Sequence, residues 1–461
     1  MVKPPTRVER DTMGEVEVPA DAYYGAQTQR AIENFPISSL RFPRRFLQAL
    51  GLIKWAAAET NVELGLLDSR IGDAIAQAAQ EVVDGRFDEQ FPVSIFQTGS
   101  GTSTNMNANE VIANRAIELL GGKKGSKQPV HPNDHVNLGQ SSNDVMPTAV
   151  HLSALLAIRD ELLPALNVLL DALNDKAKEL MPVVKTGRTH LQDATPIRLG
   201  QEFIGYAGQV SRDMRRIESA QSELYEVALG GTAVGTGLNT HPDFARRVCE
   251  RISSRTGIPI HETDNHFQAQ SSLDGVVQFH GALNTTAVSL MKIANDIRWL
   301  SSGPRAGIGE LEIPAVQPGS SIMPGKVNPV IAEALTMVCA QVMGNQATIT
   351  IAGQSGSFEL NTMIPLVAYC LIQSIELQAA ASRNFAEKLV KGIKATSRGP
   401  EMVDKGLAIA TALVPSIGYD AAAEIAKEAA RTGETIKAVA KRKTDLSDEQ
   451  LDQILDPMRL T

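Results

Sequence analysis

Five long stretches in which apolar residues recur at helical spacing constrain the fold of this chain most strongly. In the second stretch, Phe203, Ala207 and Val210 follow the period of three to four residues that lines one helix face. Each stretch has roughly 20–35 residues, whereas an average helix has about 11–12. The sequence therefore predicts a mainly α fold with a long five-helix bundle, and Pro365 predicts a kink in the last helix. The predicted helices are 147–181, 201–229, 272–300, 329–348 and 358–390.

The surface of these helices predicts self-association. Their faces are apolar nearly all round, and they are rich in the small residues Ala, Gly and Ser. A five-helix bundle in a single subunit would leave much of that apolar surface in water. We therefore expect the bundle to be buried against further copies of the chain. The alternative is one large monomeric bundle.

The rest of the chain predicts two smaller helical domains around the bundle. Residues 1–140 mix short helical stretches such as Phe46–Leu64 with loops rich in Gly, Asn and Pro. Residues 141–395 carry the long helices. Residues 396–461 contain short amphipathic stretches and a candidate helix N-cap at Ser447. A chain of 461 residues is too long for one ordinary core, which agrees with these three domains.

Charge and cysteine content narrow the class of protein. A net charge of −8 without a long basic stretch argues against nucleic acid or an anionic membrane as a partner. Three cysteines without CxxC spacing are typical of a reducing cytoplasm. Residues 1–18 lack the apolar segment of a secretory signal, and no run of 18 apolar residues predicts a membrane span. These features favour a cytoplasmic protein.

Four segments rich in small polar residues interrupt the helical pattern and are candidates for a site. The first, Gln97–Asn107, is a Gly-, Ser- and Thr-rich loop that leads into a helix predicted to begin near Asn107. Exposed N–H groups at a helix start, with hydroxyls beside them, can bind an anion. The alternative is a generic capping loop.

The second segment combines His131–Asp134 with Ser141–Asp144, just before a long helix with Pro147 in its first turn. The hydroxyl and amide side chains of Ser141–Asn143 can donate hydrogen bonds to a carboxylate. The alternative role of this segment is simple N-capping of the helix by Asp144.

The third segment, Lys185–Pro196, lies between two predicted long helices and carries one of the eight histidines of the chain. His190 falls in a predicted loop and not on an apolar helix face. Because a histidine can transfer protons near neutral pH, His190 is a candidate acid or base. The alternative is a histidine with a structural role only.

The fourth segment, Gly319–Pro329, ends a long linker that starts near Ser301. Loops of this length without regular structure tend to be functional. Gly319 and Gly325 are candidate hinges of a mobile lid, and Lys326 supplies a positive point charge. The segment therefore predicts a mobile, cationic part of a site.

Two other motifs are excluded by their spacing. A nucleotide-binding P-loop needs four residues between its glycines, but five intervene here, and Val327 follows the lysine. The pair Asn328 and Pro329 instead predicts a helix N-cap and first helical position. His261–His266 contains metal-ligand residue types but lacks HExxH spacing, so no metal site is predicted.

Taken in order along the chain, these segments resemble the fumarase/aspartase superfamily, and within it the class II fumarase family. GSSIMPGKVNP at Gly319–Pro329 is similar to the superfamily signature, and GRTHLQDATP at Gly187–Pro196 is similar to the second conserved segment. TGSGTSTNMNANEVIAN at Thr98–Asn114 is similar to the first, and HPND and SSND also match. The likeness continues to IGYDAAAEIAK at Ile417–Lys427, so it covers nearly the whole chain.

Two positions favour the fumarase family over aspartate ammonia-lyase, which usually has Gln in place of His190 and Ala in place of Gly325. The chain also departs from the family pattern, with His266 where Lys is common and Gln128 where Arg is common.

The resemblance implies a metal-independent fumarate hydratase without a cofactor, a carbon–oxygen lyase of the citric acid cycle. Such an enzyme interconverts fumarate and L-malate by anti addition and elimination of water through an aci-carboxylate intermediate. The implied base is Ser320, the implied acid is His190, and Glu333 is paired with His190. The resemblance also implies a homotetramer with a multi-helix core and active sites that draw loops from three subunits. The implied substrate-binding residues are Ser100, Gly101, Thr102, Ser141, Ser142, Asn143, Thr189, Ser321, Lys326, Val327 and Asn328, and the implied second anion site is His131, Pro132, Asn133 and Asp134.

Two other functions stay open at this point. One is another lyase of the superfamily that acts on a succinyl compound, above all aspartate, and would release ammonia. The other is a non-catalytic helical oligomer that kept the fold. The presence of Ser320, His190, Lys326 and Glu333 argues against the second.

Overall fold

Seventeen α-helices and ten short strands form the fold of residues 5–461, which is the part of the chain that the computed structural model describes. The helices are α1 (Ala26–Asn34), α2 (Arg44–Glu63), α3 (Ser69–Val83), α4 (Thr102–Leu119), α5 (Ser142–Ala157), α6 (Leu163–Leu180), α7 (Leu199–Ala220), α8 (Phe244–Thr256), α9 (His266–Ser271), α10 (Asp274–Leu300), α11 (Val330–Gly353), α12 (Ile364–Lys388), α13 (Arg398–Val403), α14 (Val414–Ile417), α15 (Tyr419–Thr432), α16 (Ile436–Lys443) and α17 (Asp448–Ile454). The mainly α fold that the sequence predicts is confirmed.

The strands are short and pair only two at a time. Four pairs are antiparallel (β1 with β2, β3 with β4, β7 with β10 and β8 with β9), whereas β5 and β6 are parallel. The strands are β1 (Thr6–Asp11), β2 (Gly14–Pro19), β3 (Val184–Thr189), β4 (Gln192–Arg198), β5 (Glu226–Val227), β6 (His261–Glu262), β7 (Leu311–Glu312), β8 (Gly356–Ser357), β9 (Leu360–Asn361) and β10 (Lys394–Ala395). The hydrophobic core is therefore helical.

All five predicted long helices are present. The first is α5 followed by α6, with the π-helical turn Ile158–Leu162 between them, and the others are α7, α10, α11 and α12. The 3–4 spacing of apolar residues predicted these helices because each one buries an apolar face against its neighbours.

Several predicted helix ends are wrong. Helix α4 begins at Thr102, well before Asn107, and α7 ends at Ala220 instead of continuing to Leu229. Pro365 does not kink α12, because it lies in the first turn of that helix, where its missing N–H would have no helical partner.

The chain divides into two compact units. The first comprises the residues up to Pro164, together with Arg215–Thr285 and Ala340–Ala379. In its core, α2 packs against α3, α5 and α8. The second comprises Ala165–Met214, Thr286–Cys339 and Ala380–Thr461. The division into three domains at residues 140 and 395 stays a prediction.

A buried polar link crosses three long helices within the first unit. His280 of α10 is fully buried, with Nδ1 2.7 Å from Gln346 Oε1 of α11 and Nε2 2.8 Å from Ser374 Oγ of α12. Burial lowers the pKa of His280 to about 4, so the imidazole is neutral at pH 7. The ring therefore joins the helices through hydrogen bonds and not through charge.

The second unit contains a separate hydrophobic cluster near the C-terminus. Helices α14–α17 and the turn before them enclose it, and Ser447 caps α17 with a capping box, as the sequence predicts. The cluster is formed by Ile409, Ala410, Leu413, Ala422, Ile425, Ala429, Ile436, Val439, Ala440, Leu451 and Leu455.

One helical segment is long and apolar enough to cross a membrane. Segment Ile364–Gly392 has a mean hydropathy of 1.4 over its most apolar window, and 61% of that window is buried. Because core helices of soluble proteins have the same length and composition, this segment does not indicate a membrane span.

Candidate active site

His190 lies at the tip of a β-hairpin, whereas the sequence predicts an irregular loop. Strands β3 and β4 are antiparallel, and Thr189 faces Gln192 across a two-residue turn. His190 and Leu191 form this turn with φ angles of 57° and 59°. Positive φ at both central residues is typical of a type I′ turn and is strained for residues other than Gly, Asn and Asp. The turn leaves the His190 side chain exposed.

A buried ion-pair network holds the base of this hairpin. Lys185 Nζ lies 2.7 Å from Glu202 Oε1 and 3.0 Å from Glu310 Oε2. Arg188 donates two hydrogen bonds to the same Glu310 carboxylate, at 2.8 and 3.1 Å. Because Lys185 and Glu310 are almost fully buried, their charges are compensated by each other and not by water. The network therefore gives the His190 turn a rigid support.

The Gly319–Pro329 loop is closed at its base on both sides of Gly319. The Gly319 N–H donates to Lys326 O at 2.8 Å, and Asn328 Nδ2 donates to Gly319 O at 2.6 Å. A Cβ at position 319 would lie 2.5 Å from the Lys326 carbonyl oxygen, so the close approach requires glycine. Gly325 has a φ of 79°, a left-handed conformation that also favours glycine.

The hydroxyl of Ser320 accepts hydrogen bonds from two backbone N–H groups in this loop. Ile322 N lies 3.2 Å and Met323 N 2.9 Å from Ser320 Oγ. Two such donors stabilise negative charge on the oxygen. Ile322 is 83% exposed, so the loop stands at the surface of its unit.

Three charged or polar residues after Ser320 line one cavity of the second unit. The cavity has a volume of about 1250 Å³ and is lined by Lys326, Asn328 and Glu333 among others. Glu333 is half-buried in the first turn of α11. Among residues 5–461 of the single chain, no hydrogen bond or ion pair joins Glu333 to His190.

In the first unit, the segment Ser100–Thr102 forms the start of α4. Gly101 is the N-cap residue, with a φ of 77°, and a Cβ there would lie 2.4 Å from the Met146 side chain. Ser100 Oγ and Thr102 Oγ1 lie 2.8 Å apart beside the first turn. This helix start therefore combines N–H groups with two hydroxyls, which is the arrangement that binds anions.

The start of α5 is a capping box. Ser141 is the N-cap, and its Oγ accepts from Asn143 N, while Asp144 accepts from Ser141 N at 3.0 Å. The fully buried Asp144 also accepts from the N–H groups of Gly230 at 3.2 Å and Thr232 at 2.9 Å. Burial raises the pKa of Asp144 to about 6. The cap is thus Ser141 together with Asp144, and it ties α5 to the 230–232 loop.

The polar residues of both helix starts line a second cavity, which belongs to the first unit. Its volume is about 740 Å³, and Asn133 and Asp134 of the HPND segment line it as well. The residues of the predicted site in its lining are Thr102, Asn133, Asp134, Ser141, Ser142 and Asn143.

His131 folds back on its own turn. Its Nδ1 accepts from the N–H groups of Asn133 at 3.3 Å and Asp134 at 3.2 Å, at the start of the π-helical turn Pro132–Val136. Burial lowers the pKa of His131, which favours the neutral ring that these bonds require.

The predicted site residues thus form two groups, one in each compact unit. One cavity brings together Thr102, Asn133, Asp134 and Ser141–Asn143, and the other brings together Lys326–Asn328 and Glu333, whereas neither is lined by His190 or Ser320. The roles of these residues stay predictions. The first group contains Ser100, Gly101, Thr102, Ser141, Ser142, Asn143 and His131–Asp134, and the second contains Thr189, His190, Ser320, Ser321, Lys326, Val327, Asn328 and Glu333.

Sequence reasoning missed three polar residues behind the first group, of which Lys54 and Asn105 are buried and Asn137 is half-buried. Lys54 of α2, Asn105 of α4 and Asn137 form hydrogen bonds that lead to Ser142. The only signal in the sequence was a lysine inside the apolar run LGLIKWAAA.

The His261–His266 segment is arranged for hydrogen bonding. His266 Nδ1 lies 3.1 Å from Ala228 O, and Nε2 lies 3.1 Å from Glu262 Oε1. Within the described range 5–461, no group of three or more His, Cys, Asp and Glu side chains is arranged to hold a metal ion.

Comparison with known proteins places this architecture in a family. A family model described as "Lyase" matches residues 14–344, and one described as "Fumarase C C-terminus" matches residues 409–461. The chain therefore belongs to the lyase family of the fumarase/aspartase fold. Within it, the chain belongs to the class II fumarate hydratase family, as its similarity to individual members shows.

Three relatives illustrate the likeness. The class II fumarate hydratase of Halobacterium salinarum is 56% identical over 456 residues, covering 99% of this chain and 97% of the relative. The mitochondrial fumarate hydratase of Rattus norvegicus is 53% identical over 454 residues, covering 98% and 89%. The crystal structure of recombinant class II fumarase from Schistosoma mansoni has a TM-score of 0.96 at 42% identity and 99% coverage of both chains.

Proposed function

We propose that this chain is an active fumarate hydratase that adds water to fumarate and removes it from L-malate. Its membership of the class II family supports the reaction. The observation in this structure that carries the chemistry is the pair of backbone N–H groups on Ser320 Oγ. A hydroxyl in that environment is suited to act as an oxygen base.

The reaction needs a base and an acid on opposite faces of a small dicarboxylate. In dehydration, the base removes a proton from the carbon next to one carboxylate, and the electron pair spreads into that carboxylate as a doubly charged aci-form. The pair then returns to form the double bond as the hydroxyl leaves, and the acid protonates that hydroxyl to give water. The site must hold the extra negative charge of the intermediate.

Ser320 takes the role of the base. Its alkoxide form is stabilised by the two loop N–H groups, and the Lys326 ammonium follows in the same loop. Hydration reverses the step, since Ser320 then returns its proton to carbon.

His190 takes the role of the acid, and Glu333 orients its imidazole. The two side chains are not bonded within one chain, and the exposed His190 turn projects from its own strands. We therefore assign their pairing to neighbouring subunits, with His190 from one chain and Glu333 from another.

The substrate carboxylates bind to helix starts and cations. The starts of α4 and α5 offer N–H groups and hydroxyls, and Lys326 and Asn328 offer an ammonium and an amide. The complete proposed set is Ser100, Gly101, Thr102, Ser141, Ser142, Asn143, Thr189, Ser321, Lys326, Val327 and Asn328. The HPND turn, His131–Asp134, would bind a second anion beside it.

The working form is a homotetramer whose sites draw loops from three subunits. Large apolar side chains on the long helices support this assembly, because Val288 is 53%, Met337 67% and Ile351 57% exposed in the single chain. The site residues also belong to both compact units, and in the proposed assembly loops from neighbouring subunits would complete each site.

We place the enzyme in the cytoplasm. All three cysteines are free and buried, which suits a reducing compartment. Because the relative from Rattus norvegicus is described as mitochondrial, fractionation of the source cells is the decisive measurement.

The test of the function is the absorbance of the conjugated dicarboxylate. Purified tetramer mixed with L-malate should produce fumarate absorbance, and the same protein mixed with fumarate should remove it. A correctly assembled protein that changes neither signal contradicts the proposal. Release of ammonia from aspartate would instead identify the rival lyase.

Substitution of Lys326 by Met should weaken dicarboxylate binding. Hydrogen bonds to charged groups are worth about 1.5–3 kcal/mol, so KM should rise about tenfold or more, with a lower kcat. Steady-state kinetics in both directions measure the change, and Lys388→Met, at an exposed lysine near the end of α12, is the control. Unchanged KM and kcat would refute the role of Lys326.

A further inference from the structure

A fully buried lysine lies behind the start of α5. Lys54 has no exposed surface, and its Nζ donates to Asn137 Oδ1 at 3.1 Å and to Gln140 Oε1 at 2.9 Å. Both amides belong to the segment that leads directly into Ser141. Lysines are almost never fully buried unless they are paired, because burying the charge is costly. A buried lysine at this position is therefore expected to have a specific role.

The amide of Asn137 connects this lysine to Ser142. Asn137 Oδ1 also accepts from Asn105 Nδ2 at 3.2 Å and from Asn109 Nδ2 at 3.1 Å. Asn105 Nδ2 in turn donates to Ser142 Oγ at 3.0 Å. A continuous chain of hydrogen bonds therefore runs from the ammonium of α2 to the first residue of α5.

The lysine fixes the direction of that chain. An ammonium group can only donate, so Asn137 must turn its oxygen towards Lys54. That oxygen can only accept, so Asn105 must present its NH₂ group to it. The same NH₂ group then occupies a lone pair of Ser142 Oγ, and the single hydrogen of Ser142 is left to point elsewhere.

The remaining direction for that hydrogen is the cavity of about 740 Å³ that Ser142 lines. A hydroxyl that donates into the cavity suits a carboxylate, which only accepts. The reverse orientation, with the hydroxyl donating to Asn105, would turn a lone pair towards the carboxylate and repel it.

Charge adds to this effect. The buried Asp144 carboxylate lies at the same helix start, and it interacts electrostatically with Lys54. Burial lowers the pKa of Lys54 to about 7, and the Asp144 charge opposes that shift. The protonated form of Lys54, which predominates below about pH 7, thus offsets the Asp144 charge, which would otherwise repel an incoming dicarboxylate.

We propose that Lys54 is a positioning residue that sets the direction of the Lys54–Asn137–Asn105–Ser142 chain and so makes Ser142 a hydrogen-bond donor to a substrate carboxylate. The inference rests on the proposed function and deepens it, because it names a residue that acts on the dicarboxylate through others. A purely structural lysine would contribute to stability but not to the affinity for anions.

The first experiment compares Lys54→Met with Lys176→Met. Lys176 is a matched control, a buried lysine whose Nζ donates to Ile393 O at 2.8 Å and to Glu179 at 2.7 Å. In Lys54→Met we expect KM, and the Kd of the unreactive dicarboxylate succinate, to rise about tenfold, with kcat changed much less. The control should keep both constants. A KM and a succinate Kd equal to those of the wild type in an assembled Lys54→Met tetramer would overturn the proposal.

The second experiment remains decisive even if Lys54→Met fails to assemble. Succinate Kd is measured for Asn105→Ala, for Ser142→Ala and for the double variant. If Asn105 acts through Ser142, the double variant binds as weakly as Ser142→Ala alone. If the two losses multiply, the chain does not set the Ser142 hydroxyl and the proposal is wrong.

The proposed function and this inference fail in different ways. Wild-type protein that binds succinate but does not hydrate fumarate would contradict the function. The inference alone would be contradicted if the wild-type protein is active but Lys54→Met keeps the wild-type KM and succinate Kd. It would also be contradicted if the losses of Asn105→Ala and Ser142→Ala multiply in the double variant.

Discussion

Substitution of Ser320 by Ala is expected to lower kcat by about 10²–10⁴-fold, the range typical of a lost general acid or base. The reason lies in the loop: Ile322 N and Met323 N point at Ser320 Oγ, so the site is built to hold negative charge on that oxygen. Alanine removes the oxygen that would accept the proton from carbon. Both backbone N–H groups then lack their acceptor. Initial rates of fumarate formation from L-malate measure the effect.

The Ser320 experiment also has to separate chemistry from binding and folding. Succinate Kd and the oligomeric state should stay near wild type in Ser320→Ala, because Lys326 and the helix starts that bind carboxylates are untouched. Ser355→Ala, at a half-buried serine beyond the end of α11 whose hydroxyl donates to Ile351 O, is the matched control and should keep full turnover. Near-normal kcat in Ser320→Ala would remove Ser320 from the mechanism.

The sequence predicted the helices well because their signal is local and repeated. Each of the five long helices buries apolar residues at a 3–4 period, and that period is visible without knowing the partners. Helix ends were predicted less well, since they depend on single caps. Pro365 illustrates this, because the same residue kinks a helix interior and is tolerated in a first turn.

The hairpin that carries His190 could not be predicted from local rules. Its turn places His190 and Leu191 at positive φ, where those rules expect Asn, Asp or Gly. The buried network of Lys185, Arg188 and Glu310 holds this unfavourable turn. Since Glu310 lies far from β3 in sequence, its contribution appears only in three dimensions.

The candidate site could be predicted only in part, because the sequence shows local patterns but not contacts through space. The polar loops were found because Gly, Ser, Thr and Asn break an apolar helical pattern. The hydrogen-bond chain from Lys54 to Ser142 was not found, because it joins α2, α4 and α5 through space. Residues that support a site from behind have no motif of their own.

Substitution of His190 by Asn is expected to lower kcat by about 10²–10³-fold, with a small change in KM. Asn keeps a polar side chain at the exposed tip of the hairpin and tolerates positive φ, so the turn should persist. It cannot deliver a proton to the departing hydroxyl. Steady-state kinetics in the malate-to-fumarate direction measure the loss, and His261→Asn, at an exposed histidine of β6, is the control.

Mixed tetramers give the sharper form of this prediction. If His190 and Ser320 of one active site come from different subunits, His190→Asn and Ser320→Ala chains should complement each other when they are unfolded together and reassembled. In a random mixture, about a quarter of the sites would receive both wild-type residues, so activity should recover to that order although each parent is nearly inactive. Reassembly of either variant alone should recover nothing. Mixed tetramers of confirmed composition without activity would show that both residues of a site belong to the same subunit and would contradict the proposed sharing between subunits.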